Sequence, residues 1–331
     1  MLNVILYTRA GCHLCEDVKT DLESLQAEVP HKLVEIDIAA DEALEAKYGS
    51  HIPVIQVGPY QRRAPITRQD LLVSLSAARD RENQLTKLDD GLFKLQKARN
   101  SRISTGDRIS FWLSNHYLLL INLLVLLYVG LPFLAPVLMK AGWTAPAGVI
   151  YKGYSFVCHN LGYRSWFLFG EQPAYPRAAA GIDDLKSFGE ATGLSESNSA
   201  QDVFAARTFV GNETVGYKVA FCERDVAIYM GILFFGLLYA VTNRRIPALH
   251  WLFWLIVGLG PIGLDGFSQL LSQPPFSLWI YRESTPLLRT LTGAVFGFMT
   301  AWYGFPLVDE TMRDARRALV VKFKRLGETD G

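Results

Sequence analysis

The sequence has no excess of either charge sign: 33 basic residues stand against 32 acidic ones among 331. That balance removes the electrostatic footprint of a nucleic-acid-binding protein. Cysteine is scarce, four residues in all, which excludes a disulfide scaffold. The opening Met-Leu-Asn-Val-Ile-Leu-Tyr-Thr has no basic leader, no long apolar stretch and no small-residue cleavage site. No secretory signal peptide is therefore expected, and the N-terminal part is expected in the cytoplasm. Long charge-free runs are missing from residues 1–108 and frequent after Phe111. The composition break near Arg108 divides a soluble part from a part that reads as membrane-embedded.

In the soluble part, residues 3–8 alternate as a short strand, and Cys12-His13-Leu14-Cys15 follows directly. These residues open a helix with apolar positions at Val18, Leu22 and Leu25. Residues 31–38 read as a second strand, 41–48 as a second helix and 52–57 as a third strand opened by Pro53, while Thr67 caps a helix over 68–79. A thiolate at a helix N-terminus is stabilised by unpaired N–H groups and by the helix dipole. Two intervening residues let the second sulfur reach the first, so Cys12 and Cys15 are candidate redox residues. Half of a zinc site is the competing reading, and it lacks a second Cys or His pair in this domain.

The run Thr8-Arg9-Ala10-Gly11-Cys12-His13-Leu14-Cys15-Glu16, with Ile52-Pro53-Val54 about forty residues on, resembles a glutaredoxin-like member of the thioredoxin superfamily over residues 1–80. The resemblance implies an α/β thioredoxin-like domain, a cis Pro53 packed against the cysteine pair, Cys12 as attacking thiol and Cys15 as resolving thiol. It also implies a cytoplasmic thiol reductant or a protein disulfide as partner. His13-Leu14 stands where glutaredoxins carry Pro-Tyr, and Gln61-Arg62-Arg63-Ala64-Pro65 stands where they carry the Gly-rich segment that holds glutathione. Both departures argue against glutathione as cofactor.

Residues 81–110 read as a helical linker with an apolar stripe at Leu85, Leu88, Leu92 and Leu95. Two heptads fall short of a coiled coil. Lys87, Lys94, Lys97, Arg99, Arg102 and Arg108 form a basic collar before the first apolar run.

Residues 111–310 read as an all-α polytopic membrane domain with about four transmembrane helices, at 111–138, 226–242, 248–271 and 291–308. Arg244-Arg245 separates the second and third spans, and the tail 311–331 carries Arg313, Arg316, Arg317, Lys322, Lys324 and Arg325. Four crossings put every basic cluster on one side, so both termini are expected in the cytoplasm of a bacterium and the protein in its cytoplasmic membrane. Residues 149–169 read as a re-entrant or interfacial helix. The polar segment 171–216 reads as a loose outer insertion with little chemistry.

Polar groups are costly at membrane depth and ask for a reason. Cys158, His159 and Arg164 follow the first span; Cys222, Arg224 and Asp225 open the second, beside Glu223. Asp265 and Gln269 end the third, after a Gly260-Pro261-Ile262-Gly263 run that should loosen the helix, and Arg282, Glu283 and Arg289 precede the fourth. The motifs Phe156-Val157-Cys158-His159-Asn160, Cys222-Glu223-Arg224-Asp225, Asp265-Gly266-Phe267-Ser268-Gln269 and Arg282-Glu283-Ser284 resemble a family of predicted bacterial and archaeal membrane proteins of unknown function, over about residues 110–305.

Three functions remain open. The first is a membrane thiol-disulfide oxidoreductase, in which the tethered Cys12/Cys15 pair works with the membrane domain. The second is a metal-dependent enzyme with zinc as candidate metal on Cys158, His159, Cys222 and one of Asp225, Asp265 or Glu283, Asp265 first among them; it would act on a lipid or lipid-linked substrate held by Arg164, Arg282 and Arg289. The third is a non-enzymatic carrier or complex subunit. Against them stands a plain structural role, with Cys158–Cys222 a disulfide and the charges paired between helices. A shared site requires Cys158, His159, Cys222, Asp225, Asp265, Glu283 and Arg289 to converge on one pocket.

Overall fold

The computed structural model describes residues 2–87, 91 and 102–327. Leu88, Leu92, Leu95, Lys94, Lys97 and Arg99 of the linker lie outside the described residues. The chain divides into two compact units, residues 1–115 with 312–331, and residues 116–311.

The first unit is built on a mixed four-stranded sheet in the order β2-β1-β3-β4. Strand β1 (Leu2–Thr8) runs parallel to β2 (His31–Asp37) and antiparallel to β3 (Val54–Val57), which pairs with β4 (Tyr60–Arg63). Alternation sorts β1 between two faces. Val4 and Leu6 join Val18 and Leu22 of α1 (His13–Ser24) and Leu71 and Leu75 of α3 (Arg68–Lys87) in one core. Tyr7 packs on the other face with Val54 and with Leu44 and Tyr48 of α2 (Glu42–Tyr48). Asp41 caps α2 by accepting from the amides of Ala43 and Leu44. Thr67 and Asp70 exchange side-chain and backbone hydrogen bonds in a capping box at the start of α3. Strand β4 was not expected: its four residues are all exposed, so no alternation marks it.

The second unit holds four helices long and apolar enough to cross a membrane. They are α4 (Thr105–Lys140), α8 (Glu223–Val241), α9 (Trp251–Ser272) and α10 (Pro286–Leu326), with the outer parts of α4 and α10 belonging to the first unit. The 19 residues of α8 rise about 28 Å, close to the hydrocarbon thickness. Helix α9 is wound as a π-helix over Trp254–Leu259, immediately before the Gly-Pro-x-Gly run that the sequence marks as a weak point.

Helices α8 and α10 meet through glycine. A Cβ on Gly293 would come 2.7 Å from the Arg224 carbonyl oxygen, one on Gly231 would come 2.5 Å from the Ala294 carbonyl oxygen, and one on Gly297 would overlap the Ile228 carbonyl. Gly293 and Gly297 are four apart on one face of α10, the spacing that lets membrane helices approach backbone to backbone.

Between α4 and α8 the structure departs from the reading of the sequence. The helix expected over 149–169 is α5 (Thr144–Tyr154) alone; a turn and strand β5 (Ser165–Leu168) follow. Segment 171–216 is packed, not loose. It contributes α6 (Phe188–Thr192), α7 (Ala200–Thr208) and β6 (Gly211–Asn212), and β7 (Gly216–Cys222) pairs with both β5 and β6. Tyr163, Phe167, Tyr175, Phe188 and Val215 form its buried core. The Ser187-x-x-Glu190 capping box and the left-handed Gly193 that start and stop α6 are local signals, but its polar, small-residue composition hides the aromatic core.

Replacing Gly297 by leucine is expected to separate α8 from α10. The full-length protein in detergent should lose most of its thermal stability, whereas leucine at Gly304, which has open space around it, should leave the unfolding temperature nearly unchanged. Equal behaviour of the two variants would rule out a glycine-mediated contact.

Candidate functional sites

Cys12 is the N-cap residue of α1, and Cys15 lies one turn on. The two are joined by a disulfide across a Cα–Cα distance of 5.3 Å. Cys15 is buried at 2 % exposure, Cys12 is only half-buried, and Leu14 between them is exposed. From solvent, Cys12 is therefore the cysteine met first. The Ile52–Pro53 peptide is cis, as the family resemblance implies.

The second site is assembled by the strand-to-helix junction of β7 and α8. Cys222 ends the strand and caps the helix, its Sγ accepting from the Asp225 amide at 3.4 Å. The Cys222 thiol donates to Asp225 Oδ2 at 3.0 Å. The pairing of β5 with β7 sets Ser165 opposite Cys222, and the loop before β5 carries Cys158. Two devices pin that loop. Asn160 takes a left-handed φ of 51°, a region Asn tolerates better than most residues. Lys218 of β7, wholly buried, donates to the carbonyls of Asn160 at 2.8 Å and Arg207 at 2.7 Å.

Cys158 and Cys222 are free thiols. Among the described residues, Cys158, Cys222 and Asp225 bring their ligand atoms within 4.8 Å of one another. The neighbouring Cys222 sulfur, helped by the Asn160 amide, draws the Cys158 thiol below the usual cysteine range. The nearby Cys158 sulfur, with burial and the Asp225 charge, pushes Cys222 well above it. Burial holds the Lys218 ammonium down to about 7.

These sulfurs line a cavity of about 200 Å³ together with His159, Asn160, Arg164, Arg224, Gln269 and Arg289. Asp265 and Glu283 stand behind the arginines. Asp265 accepts from Arg224, from Arg282 at 3.0 Å and from the Ser284 hydroxyl at 2.8 Å. Glu283 accepts from Arg177 at 2.5 Å, Arg289 at 2.9 Å and Arg164 at 3.4 Å, and Glu223 holds Arg289 at 3.1 Å. Gln269 bridges the two layers: its Oε1 accepts from the Ser284 amide and its Nε2 donates to the Asp265 carbonyl.

The structure thus gathers the cysteines, Asp225, His159 and three arginines around one cavity. Asp265 and Glu283 reach that cavity through arginines, not through sulfur or imidazole. Of the three carboxylates the sequence offered beside the cysteines, Asp225 takes the position and Asp265 and Glu283 do not, and His159 lines the cavity without joining the close group. The arginines expected to grip an anionic head group are each held by a carboxylate. Sequence reasoning missed Arg177, 4 % exposed and set 4.6 Å over the Tyr163 ring. It also missed Lys218, and it named Asn160 and Ser284 in the motifs without giving them a role. No pattern marks Arg177, because it sits in the segment whose composition reads as loose.

Residues 3–77 match the glutaredoxin-like domain family. That interval is a glutaredoxin-like domain. Residues 205–303 match a family described as predicted membrane protein. The second interval contains Cys222, Asp225, Asp265, Glu283 and Arg289 and begins beyond Cys158, so it is shorter than the extent expected from the motifs. An uncharacterized protein of Methanocaldococcus jannaschii is 25 % identical over 207 residues, 60 % of this chain and 96 % of that protein. No solved structure matches the chain. A glutaredoxin-like domain is thus joined to a domain that associates with the lipid bilayer.

Glu283→Ala would leave three arginines short of a buried carboxylate and is expected to cost about 3–5 kcal/mol. Glu171→Ala, which removes an exposed pair with Lys186, should leave the unfolding temperature nearly unchanged. Thermal unfolding of the full-length protein in detergent separates the two, and similar shifts would show that Glu283 does not tie the domain together.

Proposed function

We propose that the protein is a membrane-anchored thiol-disulfide oxidoreductase working through Cys12 and Cys15. The observation that carries this reading is the disulfide at the start of α1, with Cys12 accessible and Cys15 buried behind it. In the reduced domain, the Cys12 thiolate attacks a partner disulfide, forms a mixed disulfide and expels one partner thiolate. Cys15 then attacks the Cys12 sulfur, releases the second partner thiol and closes the Cys12–Cys15 bond. A cytoplasmic thiol reductant returns the pair to the dithiol. Tethering to the bilayer gives the domain a high effective concentration toward membrane-bound partners.

We place both termini in the cytoplasm of a bacterial cell, with four crossings and the Cys158–Cys222 cavity at the outer face. Arg102 and Arg108 before the first span, Arg244-Arg245 between the second and third, and the basic tail support this orientation.

In the full-length protein, Cys12→Ser should abolish reduction of a small-molecule disulfide, while Cys15→Ser should accumulate a mixed disulfide visible on non-reducing gels. Exchange that survives Cys12→Ser would sink the assignment. Separately, an enzymatic reporter fused after Gly331 should be active only if it is of the kind that folds in the cytoplasm; activity of a reporter that requires export would reverse the orientation.

A further inference from the structure

The grouping of two free thiols and a carboxylate around a polar cavity is unused by the exchange chemistry of Cys12 and Cys15. We infer that Cys158, Cys222 and Asp225 form a three-ligand site for a thiophilic divalent cation, zinc being the ion that fits, with its remaining coordination position open to the cavity.

Geometry makes the first argument. Zn–S bonds of about 2.3 Å and Zn–O bonds of about 2.0 Å at tetrahedral angles place neighbouring ligand atoms roughly 3.5–3.8 Å apart. The three ligand atoms already lie within 4.8 Å of one another, with Cys222 Sγ and Asp225 Oδ2 at 3.0 Å. Small side-chain rotations suffice to surround an ion. The backbone is held for this: Cys222 is fixed at a strand-helix junction, and the Cys158 loop is pinned by Lys218.

The second argument is an unsatisfied group. Asn160, 2 % exposed and on the cavity wall, has an Oδ1 with no hydrogen-bond partner among the described residues. A buried carbonyl oxygen left unpaired costs free energy, an expense that the loop bears in holding the Cys158 sulfur beside Cys222. Charge supplies the third. Two thiolates and Asp225 around a divalent ion leave one net negative charge, and the network beside the cavity offsets it, since Arg164, Arg177, Arg224, Arg282 and Arg289 outnumber Glu223, Asp265 and Glu283. Three protein ligands and an open position are the arrangement of zinc sites that bind water or substrate, whereas purely structural sites are closed by four.

The test uses the full-length chain carrying Cys12→Ser and Cys15→Ser, so that Cys158 and Cys222 are the remaining thiols and failure of the redox reading cannot affect the result. Purified in detergent, it should carry one zinc per chain by elemental analysis. Added zinc should protect both thiols from alkylation, and cobalt in its place should give thiolate-to-metal charge-transfer absorption. Asp225→Asn should retain that absorption and weaken cobalt binding by roughly tenfold or more, a loss that even outer-shell changes produce. Cys222→Ser should abolish the absorption. Equal alkylation with and without zinc, or a Cys158–Cys222 disulfide found by peptide mapping, would overturn the assignment; the alkylation test needs no variant of the site itself.

Discussion

The membrane domain is organised around one buried carboxylate. Glu283 holds Arg164, Arg177 and Arg289 at once, and each arginine comes from a different stretch of chain: the turn before β5, the segment before α6, and the first turns of α10. A charge moved out of water is tolerable only when partners surround it. Glu283, Arg177 and Arg289 can therefore be buried together or not at all, with the half-exposed Arg164 at their edge. That condition recruits segment 171–216 into the fold, brings the N-terminus of α10 against that of α8 through Glu223, and builds the wall on which the thiols stand. A second carboxylate, Asp265, ties the end of α9 into the same arrangement through Arg224 and Arg282.

Much of this was legible before any coordinates. The strand, Cys-x-x-Cys and helix order of the first domain follows from alternation and capping, and the four crossings follow from apolar length. The convergence of Cys158, Cys222 and Asp225 was legible as an expense: polar groups recurring at corresponding ends of apolar helices need a common reason. What the sequence hid has identifiable physical causes. Strand β4 has both faces exposed and no period. The sheet β5-β7-β6 is short, and the periodicity of its strands is masked by the aromatic residues that bury them. Arg177 reads as a surface arginine because its partner lies 106 residues away. The choice of Asp225 over Asp265 beside the sulfurs depends on which carboxylate an arginine claims, and that is a property of packing.

The two cysteine pairs also illustrate how context divides one chemistry. Cys12 and Cys15 share the first turn of a helix, with one sulfur accessible, and are joined. Cys158 and Cys222 come from a loop and a strand end, with the Asp225 carboxylate beside them and a cavity in front, and stay apart. Spacing along the chain makes the first pair a closed couple; spacing in the fold leaves the second pair as two thiols on one cavity wall.

The glycine contact between α8 and α10 bears on that cavity. Gly293 lies one turn below Arg289, and the backbone it touches is that of Arg224, between the cysteine cap and Asp225. With no side chain interposed, the separation of the two helices is set by van der Waals radii alone, a gauge that cannot be compressed. The contact therefore works as a caliper: it fixes how far the guanidinium on one helix stands from the sulfur and carboxylate on the other, so that residues with no side chain at all set the width of the cavity between them.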